Sequence, residues 1–138
     1  MVRSTLTGLA LAAGLVLPAA AQQFTTAAEV RPMLDATKAR WIAVREYDGR
    51  DLLYFTNLLA WRCGLDEIHY RVNGGPETLW DGEPCYDGEA VPNAQKAADK
   101  LPYVPFPLGW VETVDVRIPY DDGGSDSAAY ARGAIMTP

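Results

Sequence analysis

Apolar and polar residues alternate in two stretches of the chain. In residues 67–73, EIHYRVN, the apolar side chains of Ile68, Tyr70 and Val72 stand at every second position. Residues 111–120 repeat the pattern, with apolar side chains at Val114, Val116, Ile118 and Tyr120. Because successive side chains of a strand point to opposite faces, a period of two predicts two strands with one buried face each.

Three further stretches favour extended structure. Residues 41–47 are rich in aromatic and β-branched residues, and the Asp48-Gly49 pair that follows is typical of a two-residue hairpin turn. Residues 101–109 contain three prolines, which suit a sheet edge or an extended segment on the surface because proline has no backbone N–H to donate. Residues 128–136 should return as a partner strand after the turn-rich loop at 121–126.

Two helices are expected outside these strands. Thr26 and Glu29 form a capping box, which predicts a short helix over residues 27–39. Asn93 is a favourable N-cap residue and predicts a second short helix over residues 93–100.

Residues 51–64, DLLYFTNLLAWRCG, are the most apolar stretch outside the N-terminus. A helix here would align Leu52, Phe55, Leu59 and Cys63 on one stripe, with Asp51 as the N-cap. A strand buried on both faces fits equally well by periodicity. We favour a strand for this stretch, in which Leu52 to Trp61 would supply the buried surface, because a hairpin turn precedes the stretch and an alternating strand follows it.

The N-terminus has the order of features typical of a secretory signal peptide. Arg3 precedes an apolar run at residues 6–17, Pro18 ends the run, and three alanines follow at residues 19–21. The run is shorter than the roughly 20 apolar residues that a membrane-spanning helix needs. We therefore expect residues 1–21 to be removed on export.

The mature chain should then be a periplasmic or secreted protein without a membrane span. We expect an N-terminal segment with a short helix at residues 22–40, followed by a β-rich domain at residues 41–138. The formal net charge of −6 argues against binding to nucleic acid or anionic lipid, because both attract clustered Lys and Arg.

Cys63 and Cys85 are the two cysteines of the chain. In an exported protein, an isolated pair predicts one disulfide. A bridge that closes a loop of this length stabilises a fold by about 3 kcal/mol in the chain-entropy description. Free or metal-binding thiols are the alternative, disfavoured by the oxidising compartment and by the absence of a CxxC spacing.

The strand pattern, the leading helix and the bridge together predict a mainly β fold, namely a small immunoglobulin-like β-sandwich. The sequence EIHYRVNGG followed by Trp80 resembles the middle strands of bacterial immunoglobulin-like modules, although their usual Cys-Trp-Cys pattern is missing. This resemblance implies architecture only. Residues 41–65 resemble small exported bacterial proteins of unknown function, which implies a location and no activity.

Few residues are suited to catalysis. His69 is the one histidine, the region after residue 21 has only Ser125 and Ser127 as serines, and no G-x-S-x-G, G-x-G-x-x-G or Walker sequence occurs. We therefore expect no cofactor and no metal site.

The leading hypothesis is a non-enzymatic envelope domain that binds a protein partner or a ligand. The alternatives are a small envelope hydrolase that uses Asp and Glu residues with His69, and a structural or stress-protective domain without a dedicated site.

Two groups of residues are candidates for a binding surface. Tyr103, Phe106 and Trp110 lie in or beside the proline-rich stretch, where exposed aromatics would indicate a partner or sugar surface. His69 and Arg71 lie on the polar face of the alternating strand and are equally consistent with a solvated sheet face. The acidic loops at residues 81–89 and 121–126 are interpreted as solvated turns, with calcium binding as the alternative.

Overall fold

The computed structural model describes residues 23–138 and the isolated residues Gly8 and Gly14. Apart from these two glycines, the predicted signal peptide lies outside the described residues. The described part of the chain contains, in order, α1 (Ala27–Ala36), β1 (Ala43–Tyr47), β2 (Arg50–Tyr54), α2 (Thr56–Leu59), β3 (His69–Val72), β4 (Thr78–Leu79), β5 (Tyr103–Pro107), β6 (Thr113–Pro119), β7 (Ser125–Ala131) and α3 (Arg132–Ile135).

The first sheet is antiparallel, with the strand order β1-β2-β5. Tyr47 pairs with Arg50 across the hairpin turn, whose residues Asp48 and Gly49 have positive φ angles of 52° and 71°. Such angles match the twist of a two-residue hairpin, so the predicted turn is confirmed. The proline-rich stretch was predicted at a sheet edge, and β5 does lie at the edge, paired with β2 alone.

The second sheet is also antiparallel, with the order β4-β3-β6-β7. Val114, Val116 and Ile118 of β6 are buried and the residues between them are exposed, which confirms the period-two prediction. The return strand was predicted over residues 128–136, but β7 begins at Ser125 and ends at Ala131. The chain leaves the sheet after Ala131 and continues as α3, where the Arg132 side chain donates to the Asp51 carboxylate of β2.

The two sheets and α1 share one hydrophobic core. Val30 and Leu34 of α1 are fully buried, as are Val44 and Leu53 of the first sheet. Trp41 is also fully buried, and its indole Nε1 donates to the carbonyl oxygen of Leu34 at 2.9 Å. A buried indole N–H needs such a partner. The protein is therefore mainly β, with two antiparallel sheets around one core.

α1 begins as the capping box predicted, because the Glu29 backbone N–H donates to Thr26 Oγ1 at 3.3 Å. The Glu29 carboxylate accepts from the Phe24 backbone N–H at 3.2 Å, two residues before the cap. The helix ends at Ala36, earlier than expected, and the chain continues as a 3-10 turn at Lys38–Arg40.

The apolar stretch at residues 51–64 is a strand followed by helical turns. β2 ends at Tyr54, and the Phe55 N–H then bonds to the Pro102 carbonyl oxygen at 2.8 Å. Leu58 and Leu59 of α2 are buried, and a 3-10 turn at Arg62–Gly64 follows. The prediction of a strand for this stretch is therefore wrong beyond Tyr54. Apolar spacing of three and four residues from Phe55 buries the same side chains through a helical turn.

Residues 93–100 do not form the predicted helix. The side chain of Asn93 accepts from the Cys63 backbone N–H at 2.9 Å and donates to the Phe24 carbonyl oxygen at 2.9 Å. The groups that would cap a helix thus bind two distant segments of the chain. A local capping signal was outweighed by these tertiary contacts.

The predicted disulfide is confirmed. Cys63 and Cys85 are bonded, with their Cα atoms 5.0 Å apart, a usual separation for a bridge. The bond fixes the end of the helical turns to the irregular loop that follows β4. Within residues 23–138, no helix combines the length and the apolar character that crossing a bilayer requires.

Candidate functional site

The five residues predicted to form a binding surface fall into two groups on different sheets. Tyr103 and Phe106 belong to β5 of the first sheet, and Trp110 follows that strand closely. His69 and Arg71 belong to β3 of the second sheet.

An aromatic stack stands at the end of β5. The rings of Phe106 and Trp110 lie 5.3 Å apart and are inclined by only 12°. Phe106 is partly buried against the core, whereas 46% of Trp110 and 55% of Leu108 are exposed. We call Phe106, Pro107, Leu108 and Trp110 the Trp110 patch.

A tight turn produces the stack. The Trp110 N–H donates to the Pro107 carbonyl oxygen at 3.0 Å, and Gly109 within the turn has a φ of 76°. That conformation is unfavourable for a residue with a Cβ atom, so glycine suits the position. The turn folds the Trp110 ring back over the Phe106 ring.

Tyr103 does not join the Trp110 patch. It occurs three residues before Phe106 along β5, so its side chain points to the other face of the sheet. There its ring lies 5.0 Å from the ring of Tyr54, its partner across the strand pair. Tyr103, Phe106 and Trp110 are therefore close in sequence but do not form one surface, because Tyr103 lies on the opposite face of the sheet from Phe106.

A buried carboxylate holds the Trp110 turn in place. Asp51 is 0% exposed and accepts from the backbone N–H groups of Gly109 and Val111, each at 3.0 Å. It also accepts from Arg132 Nη1 at 2.5 Å and Nη2 at 3.0 Å. The Arg132 hydrogen bonds hold the pKa of Asp51 well below its usual range, despite the opposing effect of burial. The local sequence suggests Asp51 only as a helix N-cap, and nothing near it in the chain indicates this role.

The outer face of the second sheet carries a charged cluster around Glu77. His69 Nδ1 lies 3.3 Å from Glu77 Oε1, and His69 Nε2 lies 2.6 Å from Glu67 Oε2. Arg117 Nη2 lies 2.6 Å from Glu77 Oε1, and Arg71 Nη2 lies 3.8 Å from Glu77 Oε2. The hydrogen bond from Arg117 lowers the pKa of Glu77. Both predicted residues, His69 and Arg71, thus belong to one mutually neutralising cluster.

An open trough of about 360 Å³ lies beside this cluster. His69, Arg117 and Asp115 line it on β3 and β6, and the small residues Ser127 and Ala129 line it on β7. The small side chains leave space for the trough. Asp115 lies directly opposite Arg71 in the pairing of β3 with β6, and among the described residues its carboxylate forms no ion pair within 4 Å.

A buried arginine organises the loop that carries Cys85. Arg62 is only 6% exposed, and its guanidinium donates to the carbonyl oxygens of Leu59, Pro84, Asn93 and Ala94. All five of its N–H groups have acceptors, as a buried guanidinium requires. Burial lowers the pKa of Arg62. Arg62 and the disulfide together fix an irregular loop against the core.

The acidic loops use several of their carboxylates within the fold. Glu83 accepts from the Tyr86 hydroxyl at 2.5 Å, and Asp122 pairs with Arg31 at 2.9 Å. Asp121 accepts from the Ala27 backbone N–H at 3.0 Å and so supports the first turn of α1. In the described region, no three His, Cys, Asp or Glu side chains meet in a group that could hold a metal ion.

No protein-family model, curated protein or solved structure matches this chain.

Proposed function

We propose that this chain is an exported, non-enzymatic domain that binds a protein partner in the cell envelope. Its periplasmic or secreted location is supported by the signal-peptide pattern at residues 1–21 and by a disulfide in a two-cysteine chain. We further propose that the two antiparallel sheets pack as an immunoglobulin-like β-sandwich. A shared core between the sheets supports that architecture.

The Trp110 patch is the observation that carries this proposal. Trp110 and Leu108 stand exposed on a turn whose backbone is bonded to the buried carboxylate of Asp51. An exposed apolar group on a rigid support loses little conformational entropy when a partner covers it. Tryptophan is also among the residues that contribute most to protein interfaces.

The edge strand β5 beside the patch is better suited to bind a partner through side-chain contacts than by pairing with a strand of the partner. Because Phe55 and Pro102 form a hydrogen-bonded pair, Val104 and Phe106 direct their N–H groups toward β2. Pro105 and Pro107 occupy the alternate positions, where an N–H would point outward. The outer edge of β5 therefore offers carbonyl acceptors and almost no donors, which makes it a poor template for another strand.

The test is capture of a partner by the disulfide-bonded chain from its native envelope, with chemical crosslinking and mass spectrometry. Leu108→Asp and Trp110→Ala should each lose a protein that the wild-type chain captures. Val91→Asp is the matched control, because Val91 is also apolar and exposed but lies outside the patch. Capture that is equal for wild type and both patch variants would refute the proposal.

The hydrolase alternative has one specific observation in its favour. Glu67 and Glu77 both contact His69 beside an open trough, and converging carboxylates could serve acid–base chemistry. Glu77, however, also pairs with Arg117, which keeps it ionised. Hydrolysis of envelope-type ester or glycoside substrates that is abolished by both His69→Gln and Glu67→Gln would favour this alternative over the binding proposal.

A structural or stress-protective domain without a dedicated site is supported less well. That alternative predicts no cluster of exposed aromatic residues. The stacked and exposed Trp110 side chain argues against it.

A further inference from the structure

The first sheet turns one face to the core and leaves much of the other open to solvent. Val44 and Leu53 of the inner face are fully buried, and Val104 packs against the same core. Because side chains alternate along each strand, the residues between these belong to the outer face. We call this outer face the Arg45 face; its residues are Ala43, Arg45, Tyr47, Arg50, Leu52, Tyr54, Tyr103, Pro105 and Pro107.

The Arg45 face is apolar or aromatic apart from two arginines, Arg45 and Arg50. Tyr47 is 56% exposed, and both prolines of the face are exposed. Leu52 is buried although it is not part of the shared core, so neighbouring side chains of the face shield it. Tyrosine and arginine are enriched at protein interfaces, whereas lysine, aspartate and glutamate are depleted there. The Arg45 face therefore has the composition of an interface.

Both arginines of the face lack a counter-ion. Within residues 23–138, no carboxylate lies within 4 Å of the guanidinium nitrogens of Arg45 or Arg50. Most other arginines of this region do have such a partner, namely Arg31, Arg71, Arg117 and Arg132. The Arg45 face thus keeps two positive charges available for an external anion.

The acidic residues nearest in sequence do not neutralise this face. Glu46 alternates with Arg45 along β1 and so lies on the inner side, where its carboxylate is 2.8 Å from Arg132 Nη2. Asp51 alternates with Arg50 along β2 in the same way and is 0% exposed. The face is therefore cationic in a chain whose formal net charge is −6. By electrostatic complementarity, such a face favours an anionic partner.

The spacing of the two arginines matches an extended acidic chain. Arg45 lies opposite Leu52, and Arg50 precedes Leu52 by two residues on β2, so the arginines are diagonal neighbours about 7–8 Å apart. Alternate side chains of an extended polypeptide are about 7 Å apart. The Arg45 guanidinium lies over the Tyr47 ring at 4.6 Å. A guanidinium stacked in this way keeps its N–H edge available to a carboxylate.

We propose that the Arg45 face binds an extended acidic segment of a partner polypeptide, with carboxylates at two alternate positions of that segment bonded to Arg45 and Arg50. Each contact would be a charge-assisted hydrogen bond. Apolar side chains of the segment would cover the tyrosines and prolines of the face.

Two open depressions at the ends of the face could receive the flanking side chains of such a segment. One has a volume of about 340 Å³, and its lining includes Arg50, Pro105 and Pro107. The other has a volume of about 300 Å³, and its lining includes Arg45 and Tyr54. Because each depression adjoins one of the arginines, a segment that bonds both would extend over both depressions.

The same charges disfavour a second copy of this chain as the occupant. A twofold contact brings identical surfaces together. Two Arg45 faces in contact would oppose arginines without any carboxylate from the strands of either face, and like charges across an interface disfavour association. The inference also does not rest on the Trp110 patch, although Pro107 borders both surfaces.

The test is selection by the disulfide-bonded chain from a library of short displayed peptides with glutamate fixed at two alternate positions. Matched libraries carry lysine or serine at the same positions. The wild-type chain should enrich peptides from the glutamate library alone. For an enriched peptide, Arg45→Glu and Arg50→Glu should each weaken binding about tenfold in fluorescence polarisation, because each brings like charges together. Arg40→Glu is the matched control and should bind as wild type, because Arg40 is exposed and unpaired among residues 23–138 but lies outside the face.

Exchange of charges separates a direct contact from a folding defect. A peptide with one glutamate replaced by lysine should bind Arg50→Glu or Arg45→Glu more tightly than it binds wild type, and urea unfolding confirms that each variant is folded. Trp110→Ala should bind the enriched peptide as wild type does, so failure of the Trp110 patch as a partner site would leave this result intact.

Three results would overturn the proposal. The first is a glutamate library that is enriched no more than the serine library. The second is an enriched peptide whose affinity is unchanged by both arginine reversals. The third is binding of an acidic polysaccharide such as alginate, without peptide enrichment, that both reversals abolish, because it would assign the face to a glycan.

Discussion

Asp51→Asn should destabilise the fold strongly at neutral pH. The substitution removes a carboxylate that is 0% exposed and that accepts two bonds from Arg132 and one each from the Gly109 and Val111 backbones. Asparagine keeps the volume but leaves the arginine charge without its main counter-ion. Breaking one side of a buried, hydrogen-bonded ion pair costs about 3 kcal/mol or somewhat more.

The same substitution should change the acid sensitivity of the protein. The folded state lowers the pKa of Asp51, so its ionised form adds stability above the unfolded-state pKa of about 4. That contribution declines as pH falls from about 4 toward the folded value. The difference between wild type and Asp51→Asn should therefore be constant near pH 7 and smaller at pH 3.

Urea unfolding with the disulfide intact measures both effects. We expect the midpoint of Asp51→Asn to fall, with a loss of about 3 kcal/mol at pH 7 and a smaller loss at pH 3. Asp87→Asn is the control and should change the free energy of unfolding by less than about 0.5 kcal/mol. A loss below about 1 kcal/mol at pH 7 for Asp51→Asn would contradict the role assigned to this carboxylate.

Three other substitutions test separate parts of the fold. Replacing Cys63 and Cys85 by alanine should lower the free energy of unfolding by about 3 kcal/mol, and an unchanged urea midpoint would show that the bridge contributes nothing. Arg62→Met should lower the free energy of unfolding by about 3 kcal/mol, because buried carbonyl oxygens lose their donor. Amide hydrogen exchange should accelerate mainly in the loop after Cys85. Unchanged exchange in that loop would contradict the role of Arg62 in fixing it. Pro105→Val should add an outward N–H to the edge of β5 and increase light scattering at high concentration, whereas the same substitution is expected to have little effect on monomer stability.

Strands with one buried face were predictable from the sequence. β6 packs one face against the core, so buried and exposed side chains alternate along it, with Val114, Val116 and Ile118 on the buried face. The hairpin at Asp48 and Gly49 was predictable for a similar local reason, since its positive φ angles suit those residues.

The apolar stretch at residues 51–64 was harder to assign because its local pattern is compatible with both structures. A strand and a helical turn would bury its leucines equally well. The strand ends at Tyr54 because its pairing with β5 ends there, and this pairing involves residues distant in the sequence. Asn93 shows the same limit, because its capping groups bond to Cys63 and Phe24. Contacts between distant residues outweigh local propensity at both places.

The sequence indicates which residue types could form a site, but not how the folded chain arranges them in space. The proline-rich stretch around Trp110 indicates an exposed aromatic side chain, and Trp110 is 46% exposed. The division of Tyr103 and Phe106 between two faces required the register of β5. The role of Asp51 could not be inferred locally, because Gly109 and Arg132 are distant in the sequence and are brought to it only by the folded chain.

Photocrosslinking from position 108 in the native envelope tests the central claim most directly. A photoreactive amino acid at Leu108 should yield one dominant protein adduct, and the same label at exposed Val91 should not yield it. Adding Trp110→Ala to the labelled chain should reduce the adduct severalfold, because the partner loses its aromatic anchor. Labelling at position 108 that is no stronger or more selective than at position 91 would contradict the assignment of the Trp110 patch as a partner-binding surface.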